Sequence, residues 1–253
     1  MPHQLKTAAV LGAGYMGSHI AAHLAAIGVR VHLLDILPPE LKPEHVKDPE
    51  ARNAFAARGL AAALKFKPAA FYDPDAARLI EVGNFEDDLG RLSEADLIIE
   101  AIVERLDVKL DLFKRVAPHV AEHAILATNT SGLSIGAMSE GLPPALQKRF
   151  LGMHFFSPVR YMRLLEIISG PETEGAILSR AAAIGELLGK GVVYAKDTPN
   201  FIANRIGIHA AMLSIHTADE MDLSIEDVDA ITGTPMGRPK SGTFRLGDMV
   251  GID

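Results

Sequence analysis

A glycine-rich turn near the N-terminus constrains the fold of this chain more than any other feature. An apolar, strand-like segment ends at Leu11 and runs into Gly12-Ala13-Gly14-Tyr15-Met16-Gly17, where the pattern of an apolar helix begins. In such a turn Gly12 makes the tight bend, Gly14 lets the backbone approach a pyrophosphate, and Gly17 lets the helix pack closely on the strand. The free N–H groups at the start of the helix favour a negatively charged group. The segment therefore predicts the first strand and helix of a dinucleotide-binding unit.

An acid ends the second strand of this predicted unit. Residues 29–34 are strand-like, and Asp35 follows them at the position where a ribose hydroxyl needs a hydrogen-bond acceptor. A carboxylate accepts from a 2′-hydroxyl and repels a 2′-phosphate, and the next residues, Ile36 and Leu37, offer no arginine for that phosphate. The sequence therefore favours NAD over NADP. The alternative, a glycine-rich turn in an unrelated α/β protein, leaves the acid and both flanking strands unexplained.

Composition and charge exclude several classes of protein. The apolar fraction of 48% and charged fraction of 23% are those of a soluble globular protein. A net charge of −7 without a basic cluster argues against nucleic-acid binding. The N-terminus carries no signal-like apolar core, and no apolar run reaches the length of a membrane span. The absence of cysteine fits a reducing compartment, so we expect a cytoplasmic protein.

Strand-like and helix-like segments alternate along most of the chain, which predicts a Rossmann-type doubly wound parallel sheet. We assign residues 1–197 to this NAD-binding domain. From Thr198-Pro199-Asn200 onward the pattern becomes wholly helical, so residues 198–253 are predicted to begin a helical C-terminal domain for substrate binding and dimerisation. About 55 residues make a poor independent domain, so we expect this part to be incomplete or to pair with a second copy.

Within the α/β part, two helices are predicted in some detail. Residues 49–65 are Ala-rich and predict one helix, and a helix starting at Leu106 carries an apolar stripe that leaves Lys109 on its outer side. His19 and His23 lie one turn apart on the first helix, as metal ligands can. No third ligand follows at a suitable spacing, so we expect an exposed helix face there and no metal.

Polar residues follow three of the predicted strands at their carboxyl ends, where open α/β sheets bind ligands. They are Glu104, the segment Asn129-Thr130-Ser131, and His154. Asn204 is a further polar residue within an otherwise apolar helix. Taken alone, Ser131 can be an ordinary turn or helix-cap residue, and His154 can be a hydrogen-bonded core histidine.

The strand-like segments around His154 and Glu166 are otherwise apolar, which indicates that both side chains are buried. A buried carboxylate needs a partner. A histidine and a glutamate on successive strands suggest a general base that a carboxylate holds in one tautomer.

Taken together, these segments resemble the L-3-hydroxyacyl-CoA dehydrogenases of fatty-acid β-oxidation over nearly the whole chain. The resemblance is carried by residues 12–17, Ala101-Ile102-Val103-Glu104, Asn129-Thr130-Ser131, His154-Phe155-Phe156-Ser157-Pro158, Glu166, Lys196-Asp197-Thr198-Pro199-Asn200-Phe201-Ile202-Ala203-Asn204-Arg205 and Pro235-Met236-Gly237. It implies NAD-dependent oxidation of an L-3-hydroxyacyl-CoA thioester, with His154 as general base and Glu166 as its partner. It also implies that Ser131 and Asn204 bind near the reacting oxygens, and that Glu104 and Lys109 lie along the cofactor.

The predicted cofactor site therefore combines the glycine turn and the strand-end residues: Gly12, Ala13, Gly14, Tyr15, Met16, Gly17, Asp35, Glu104, Lys109, Asn129, Ser131 and Ser157. Three features depart from the family pattern. Ser157 stands where the family often has Asn. The region after the second strand, where the family contacts coenzyme A, aligns poorly, and Lys65 and Lys67 are its candidate phosphate ligands. The segment after Met236-Gly237 is longer than usual, as in larger fused enzymes that append an enoyl-CoA hydratase, so a homodimer or such a fusion is expected.

Two alternatives to this function stay open. A related NAD-dependent dehydrogenase could act on a free hydroxy acid, because the coenzyme A segment is the least similar part. A non-catalytic NAD-binding protein of the same fold is the other alternative. The joint presence of Ser131, His154, Glu166 and Asn204 argues against it, because a purely structural protein does not need a buried ionisable pair.

Overall fold

The computed structural model describes residues 5–238 and 240–250. The chain divides into two compact units, Met1–Phe201 and Ile202–Asp253. The first unit is built on one sheet whose strands, in chain order, are β1 (Thr7–Leu11), β2 (Arg30–Asp35), β3 (Ile80–Asn84), β4 (Leu97–Glu100), β5 (Ile125–Thr128), β6 (Phe150–Phe155), β7 (Leu164–Ser169) and β8 (Gly191–Ala195).

The strand order is β3-β2-β1-β4-β5-β6-β7-β8, so the order reverses between β1 and β4. This is the crevice at which doubly wound sheets bind nucleotides, and it confirms the predicted Rossmann-type fold. The one antiparallel pairing among the described strands is that of β7 with β6, and β8 pairs parallel with β7, so both run against the other six. The connection between β6 and β7 is only residues 156–163. A parallel crossover needs a dozen or more residues, so this short loop forces the chain to turn back.

The helices of the first unit flank this sheet. They are α1 (Tyr15–Ala25), α2 (Pro49–Arg52), α3 (Ala54–Lys65), α4 (Leu106–Val116), α5 (Ile135–Glu140), α6 (Pro144–Gln147) and α7 (Gly175–Leu187). The single helix predicted over residues 49–65 is interrupted at Asn53. There the side-chain oxygen accepts a hydrogen bond from the amide of Asn84 at 2.7 Å. The backbone of Asn53 also leaves the α-helical region, with φ −93° and ψ 9°, and this separates α2 from α3.

The core consists of two layers of side chains, one on each face of the sheet. On one face, residues of β1, β2, β4, β5 and β6 form a continuous apolar cluster with α1 and α7. On the other face, Phe113 of α4 packs edge-on against Phe150 of β6, with ring centroids 5.3 Å apart. Because both faces are covered, the central strands are apolar runs rather than alternating patterns.

The second unit is helical, as predicted. Its helices are α8 (Ala203–Glu220), α9 (Ile225–Thr232) and α10 (Phe244–Val250). Ser224 caps α9, because its hydroxyl accepts a hydrogen bond from the backbone N–H of Asp227. Asp229 in turn accepts bonds from the backbone of Phe244 and Arg245, which fixes the start of α10. Among the residues described in both units, no helix combines the length and apolar character that crossing a bilayer requires.

Candidate functional site

The glycine turn between β1 and α1 has the geometry that its sequence predicts. Gly12 has φ +103°, and a Cβ there would lie 2.5 Å from the carbonyl oxygen of Ala101. A Cβ on Gly17 would overlap the carbonyl of Gly12, so α1 packs directly on the turn. Gly14 differs from both, because a Cβ there would meet nothing within 4 Å. The space beside Gly14 is therefore open to a ligand, while Gly12 and Gly17 serve the fold.

Asp35 lies next to this turn at the end of β2. Its Oδ2 accepts a hydrogen bond from the backbone N–H of Ala13 at 2.7 Å, and its Oδ1 accepts from Ile36 at 2.7 Å. The carboxylate is half-buried, so lone pairs remain directed towards the cleft. Asp35 thus links the two strands of the βαβ unit and presents an acceptor where a ribose hydroxyl would bind.

A cleft of about 600 Å³ opens at the crevice between β1 and β4. The predicted site residues that line it are Gly12, Gly14, Tyr15, Met16, Asp35, Glu104, Lys109, Asn129 and Ser131. Residues that sequence reasoning missed also line it: Phe85, Val108, Asp111, Leu112 and Arg115. Four of these lie on α4, whose spacing indicates only a helix face, so the sequence carries no signal for their position beside the cleft.

Lys109 lies inside the molecule, so the prediction that it occupies the outer side of its helix is wrong. Its side chain is 1% exposed, and its Nζ donates to Oε1 of Glu100 at 2.5 Å. Glu100 is itself fully buried at the end of β4. The sequence did contain a signal for this pair, because an acid within the apolar run 97–102 needs a buried cationic or N–H partner.

Glu104 joins this pair to the turn after β5. Its Oε2 lies 3.3 Å from Nζ of Lys109, and its Oε1 accepts hydrogen bonds from Oγ1 of Thr130 and from the backbone N–H of Ser131 at 2.5 and 2.8 Å. Burial by itself would raise the pKa of Glu104, but the bonds from Thr130 and Ser131 and the charge of Lys109 outweigh it and lower that pKa. Glu104 is therefore an ionised acceptor at the rim of the cleft.

The turn after β5 carries the next two predicted residues. The amide oxygen of Asn129 accepts a hydrogen bond from the backbone N–H of Phe155 at 2.9 Å, which connects this turn to the end of β6. The Ser131 side chain is exposed at the cleft. The helix that follows is capped by Ser134 rather than by Ser131, since the Ser134 hydroxyl accepts from Ala137. Ser131 is thus left without a capping role.

The two buried ionisable residues predicted on successive strands lie side by side. His154 and Glu166 are directly opposite in the register of β6 and β7. The imidazole Nδ1–H donates to Oε2 of Glu166 at 2.8 Å, and both side chains are almost fully buried. A carboxylate on Nδ1 leaves Nε2 unprotonated and able to accept a proton.

Aromatic rings surround the imidazole of His154. The ring of Phe156 lies 4.4 Å from it and that of Phe201 lies 5.6 Å from it, measured between centroids. Phe201 is buried and adopts a left-handed backbone conformation with φ 49°, which a non-glycine residue rarely adopts. The next residue after Phe156, Ser157, has its hydroxyl 2.9 Å from that of Tyr15 in the glycine turn. The loop after β6 thus contacts the predicted cofactor turn.

Comparison with known proteins identifies the family. Residues 7–198 match the NAD binding domain of 3-hydroxyacyl-CoA dehydrogenase, and residues 201–253 match its C-terminal domain. The chain belongs to the 3-hydroxyacyl-CoA dehydrogenase family. A Bacillus subtilis protein named "Probable 3-hydroxyacyl-CoA dehydrogenase" is 46% identical over the whole chain, and the chain covers 33% of that protein. A Rickettsia prowazekii protein named as a fatty acid oxidation complex trifunctional enzyme is 36% identical over the whole chain, which covers 34% of it.

The chain thus spans about a third of the length of these two relatives. The fold is shared with the crystal structure of (S)-3-hydroxybutyryl-CoA dehydrogenase from Ralstonia eutropha. That structure has a TM-score of 0.79 and 29% identity, over 99% of this chain and 84% of its own.

As the NAD-binding domain of this family, the first unit has a cleft that fits its cofactor. The open space beside Gly14 would admit a pyrophosphate, and the Asp35 carboxylate at the cleft would accept from a ribose hydroxyl. Glu104, whose side chain is 45% exposed, offers a second acceptor at the far side of the same cleft. Three predicted residues do not line this cleft: Ala13, Gly17 and Ser157. Ala13 and Gly17 shape the turn through their backbone, and Ser157 reaches it through Tyr15.

The remaining predicted residues lie elsewhere. Lys65 ends α3 and Lys67 follows it, and both side chains are exposed. Asn204 is half-buried in the first turn of α8, within the second unit. His19 and His23 are buried, so the prediction of an exposed helix face is wrong.

The partners of the two histidines explain their burial. His19 packs between the rings of Tyr15 and Phe66, with centroids 4.2 and 4.7 Å away. Nε2–H of His23 donates to the carbonyl of Leu188 at 2.9 Å. Among the described residues, no group of three or more potential metal-binding side chains comes together.

Proposed function

We propose that the protein catalyses the NAD-dependent oxidation of L-3-hydroxyacyl-CoA thioesters to 3-ketoacyl-CoA in fatty-acid β-oxidation. The observation that carries the proposal is the buried His154–Glu166 pair, in which Nδ1–H donates to the carboxylate at 2.8 Å. The pair lies in the same unit as a dinucleotide cleft, and the chain's family is named for this reaction. A buried histidine paired with a buried carboxylate is the arrangement that a general base needs to stabilise its imidazolium form.

In this proposal the side chains of His154 and Glu166 remove the proton from the substrate hydroxyl and stabilise the charge that results. Nε2 of His154 takes the proton from the C3 hydroxyl of the substrate, and the Glu166 carboxylate stabilises the imidazolium that results. When bound, NAD⁺ supplies the acceptor for the hydride that leaves C3. Ser131, exposed at the cleft, orients the hydroxyl or thioester oxygen. We assign the same role to Asn204 from its place in the family motif.

We propose a coenzyme A thioester as the substrate, with Lys65 and Lys67 as ligands of its phosphates. Both lysines are exposed and close together in the chain, beyond the buried face of α3. The Ralstonia eutropha protein of the same fold is named for such a thioester, 3-hydroxybutyryl-CoA. A free hydroxy acid lacks the phosphates that these two cations would bind, and it is the competing substrate in the assay below.

We further propose that the protein is a cytoplasmic homodimer that pairs through its helical second unit. In that unit Ile206, Leu213 and Met221 expose between 58% and 65% of their surface. A second copy would bury such an apolar face. A longer chain that also carries an enoyl-CoA hydratase is the alternative assembly. Analytical ultracentrifugation tests the dimer, because a stable monomer would contradict it.

The activity is tested by following oxidation of NADH with acetoacetyl-CoA and with free acetoacetate. We expect turnover of the thioester and none of the free acid, and near-complete loss of turnover in His154→Ala. His123→Gln is the matched control, because His123 also lies beside a carboxylate, 3.3 Å from Asp96, where β4 and β5 begin and away from their carboxyl ends. Turnover of the free acid alone would favour the free-acid dehydrogenase. NADH binding without turnover of either substrate would contradict the proposal that the protein is an enzyme.

A further inference from the structure

The end of β4 carries a buried carboxylate that the proposed mechanism does not use. Glu100 is fully buried, and it accepts three hydrogen bonds: from Nζ of Lys109 at 2.5 Å, from Oγ1 of Thr128 at 2.6 Å and from the backbone N–H of Ile102 at 2.7 Å. Its partner Lys109 is equally buried but lines the cofactor cleft. Glu100 itself is not among the residues that line the cleft. Glu100 therefore reaches the cleft through two neighbours that line it, the Lys109 ammonium and the backbone of Ile102, and of these Lys109 carries the charge that also contacts Glu104.

Lys109 also contacts Glu104, and Glu104 contacts the turn after β5. The ammonium of Lys109 lies between the two carboxylates, 2.5 Å from Glu100 and 3.3 Å from Glu104. Glu104 in turn accepts hydrogen bonds from the hydroxyl of Thr130 and from the backbone N–H of Ser131. Because Lys109 is bonded more closely to Glu100, its charge does not pull Glu104 away from Ser131.

We propose that Glu100 is a positioning residue of the NAD site, which fixes the Lys109 ammonium and thereby holds Glu104 and Ser131 in place. Without the Glu100 charge, Lys109 would have Glu104 as its remaining carboxylate partner among the contacts described here. A buried ammonium that lacks its close counter-ion is strongly destabilised. It would draw Glu104 inward, and the hydrogen bond to the Ser131 N–H would lengthen or break. The cofactor would then lose an acceptor at the cleft rim, and Ser131 would lose its anchor.

The test compares NADH affinity in Glu100→Gln with that in a matched control at the other end of the same strand. Asp96 immediately precedes β4 and is also buried, with bonds from the backbone N–H groups of Lys6 and Thr7 at 2.8 and 3.1 Å. Asp96→Asn therefore removes an equivalent buried charge far from the cleft. We expect both variants to lower Tm, but Glu100→Gln alone to weaken NADH binding, by about tenfold, as is typical within one hydrogen-bond network. Equal NADH affinity in parent and Glu100→Gln would overturn the proposal.

A thermodynamic cycle keeps the proposal testable if Glu100→Gln does not fold. Replacing both partners of a buried pair is far less costly than replacing one, so the double variant Glu100→Gln/Lys109→Met is expected to fold. If Glu100 acts through Lys109, the double variant binds NADH as well as Lys109→Met does, within about twofold. A further tenfold loss in the double variant would show that Glu100 acts by another route, against the proposal.

The activity part of this inference rests on the proposed function, but the binding part does not. In the parent protein, acetoacetyl-CoA turnover tests the function and NADH titration tests the cofactor site separately. Absence of turnover in the parent would contradict the proposed function alone. The comparison of Glu100→Gln with Asp96→Asn by NADH titration would still decide the role of Glu100. Where turnover is present, we expect Glu100→Gln to lower kcat at saturating NADH by about tenfold through the loss of Ser131 placement.

Discussion

His154 and Glu166 are direct cross-strand partners, with Nδ1 of the imidazole 2.8 Å from Oε2 of the carboxylate. They come together because β7 runs antiparallel to β6 after a short loop. The sheet offers an internal comparison, since His32 and Glu81 are also direct cross-strand partners, on β2 and β3. In that pair the atoms are 3.4 Å apart and the Glu81 side chain is 59% exposed.

Glu166→Gln is expected to lower kcat by a factor of about 10² to 10⁴, because the amide neither fixes the tautomer nor stabilises the imidazolium. The measurement is kcat with acetoacetyl-CoA and NADH at saturation, together with Tm. Glu81→Gln is the control, and its kcat should equal that of the parent. Parent-like kcat in Glu166→Gln would mean that His154 acts without its carboxylate.

Alanine at Gly14 and at Gly17 should separate binding from folding. The Gly14 Cβ meets open space within the protein, so Gly14→Ala should keep the parent Tm but weaken NADH binding by about tenfold or more, since the methyl group occupies the pyrophosphate position. Gly17→Ala should lower Tm, because its Cβ overlaps the Gly12 carbonyl. NADH titration and thermal unfolding measure the two effects. Gly175→Ala, which also meets open space but lies at the start of α7, should change neither.

Asp35 is expected to set the preference between NADH and NADPH. Asp35→Asn keeps the shape of the side chain but removes the charge that repels a 2′-phosphate. We expect weaker NADH binding by about tenfold, the value of one charge-assisted hydrogen bond, and little change or an increase for NADPH. Titration with both nucleotides gives the ratio of their affinities. An unchanged ratio would place the discrimination on another residue.

Acid stability should depend on His23. Burial, with the nearby charge of Lys190, lowers the pKa of His23 from 6.5 to about 4. Below pH 6.5 the unfolded chain therefore binds a proton that the folded chain does not, so stability falls as the pH falls towards 4. The full loss is about 3 kcal/mol. Urea unfolding between roughly pH 7 and pH 4 should show this loss, and His23→Gln should make the total loss over that window smaller by about the same amount. An identical slope in His23→Gln would contradict the assignment.

Lys65 and Lys67 should affect the thioester substrate but not the cofactor. Replacing both by alanine is expected to raise KM for acetoacetyl-CoA several-fold at low ionic strength, and the difference should shrink as salt screens the charges. Affinity for NADH should stay the same. Lys42→Ala/Lys47→Ala removes the same charge from two exposed positions nearby in the chain and is the matched control. An equal rise in KM in the control would indicate a general charge effect.

The geometry of the glycine turn could be predicted from the sequence, because its signals are local. A glycine with positive φ at position 12, a tightly packed glycine at 17 and an acid at the end of β2 each follow from a short stretch of backbone. Each apolar strand can likewise be recognised from its own run of residues. The burial of His154 and Glu166 could be inferred from their apolar neighbours in the same way.

Errors arose where burial depends on a distant segment. Lys109 has the sequence context of a solvent-facing lysine, and it is buried because Glu100 of β4 lies across from it. His19 and His23 have the spacing of an exposed helix face, yet they are covered by Phe66 and by the chain at Leu188. Helical periodicity reports which residues share a face and gives no information on what packs against that face.

By itself, the sequence determined the βαβ unit, the choice of NAD and the identity of the polar residues at the strand ends, because each depends on residues close together in the chain. Only the tertiary structure decided how those residues meet. The short loop at 156–163 reverses β7 and brings Glu166 opposite His154, and the crevice between β1 and β4 joins the glycine turn to α4. Such contacts depend on strand direction and register. The apolar pattern of the sequence does not determine either, because several pairings of the strands bury the same apolar residues.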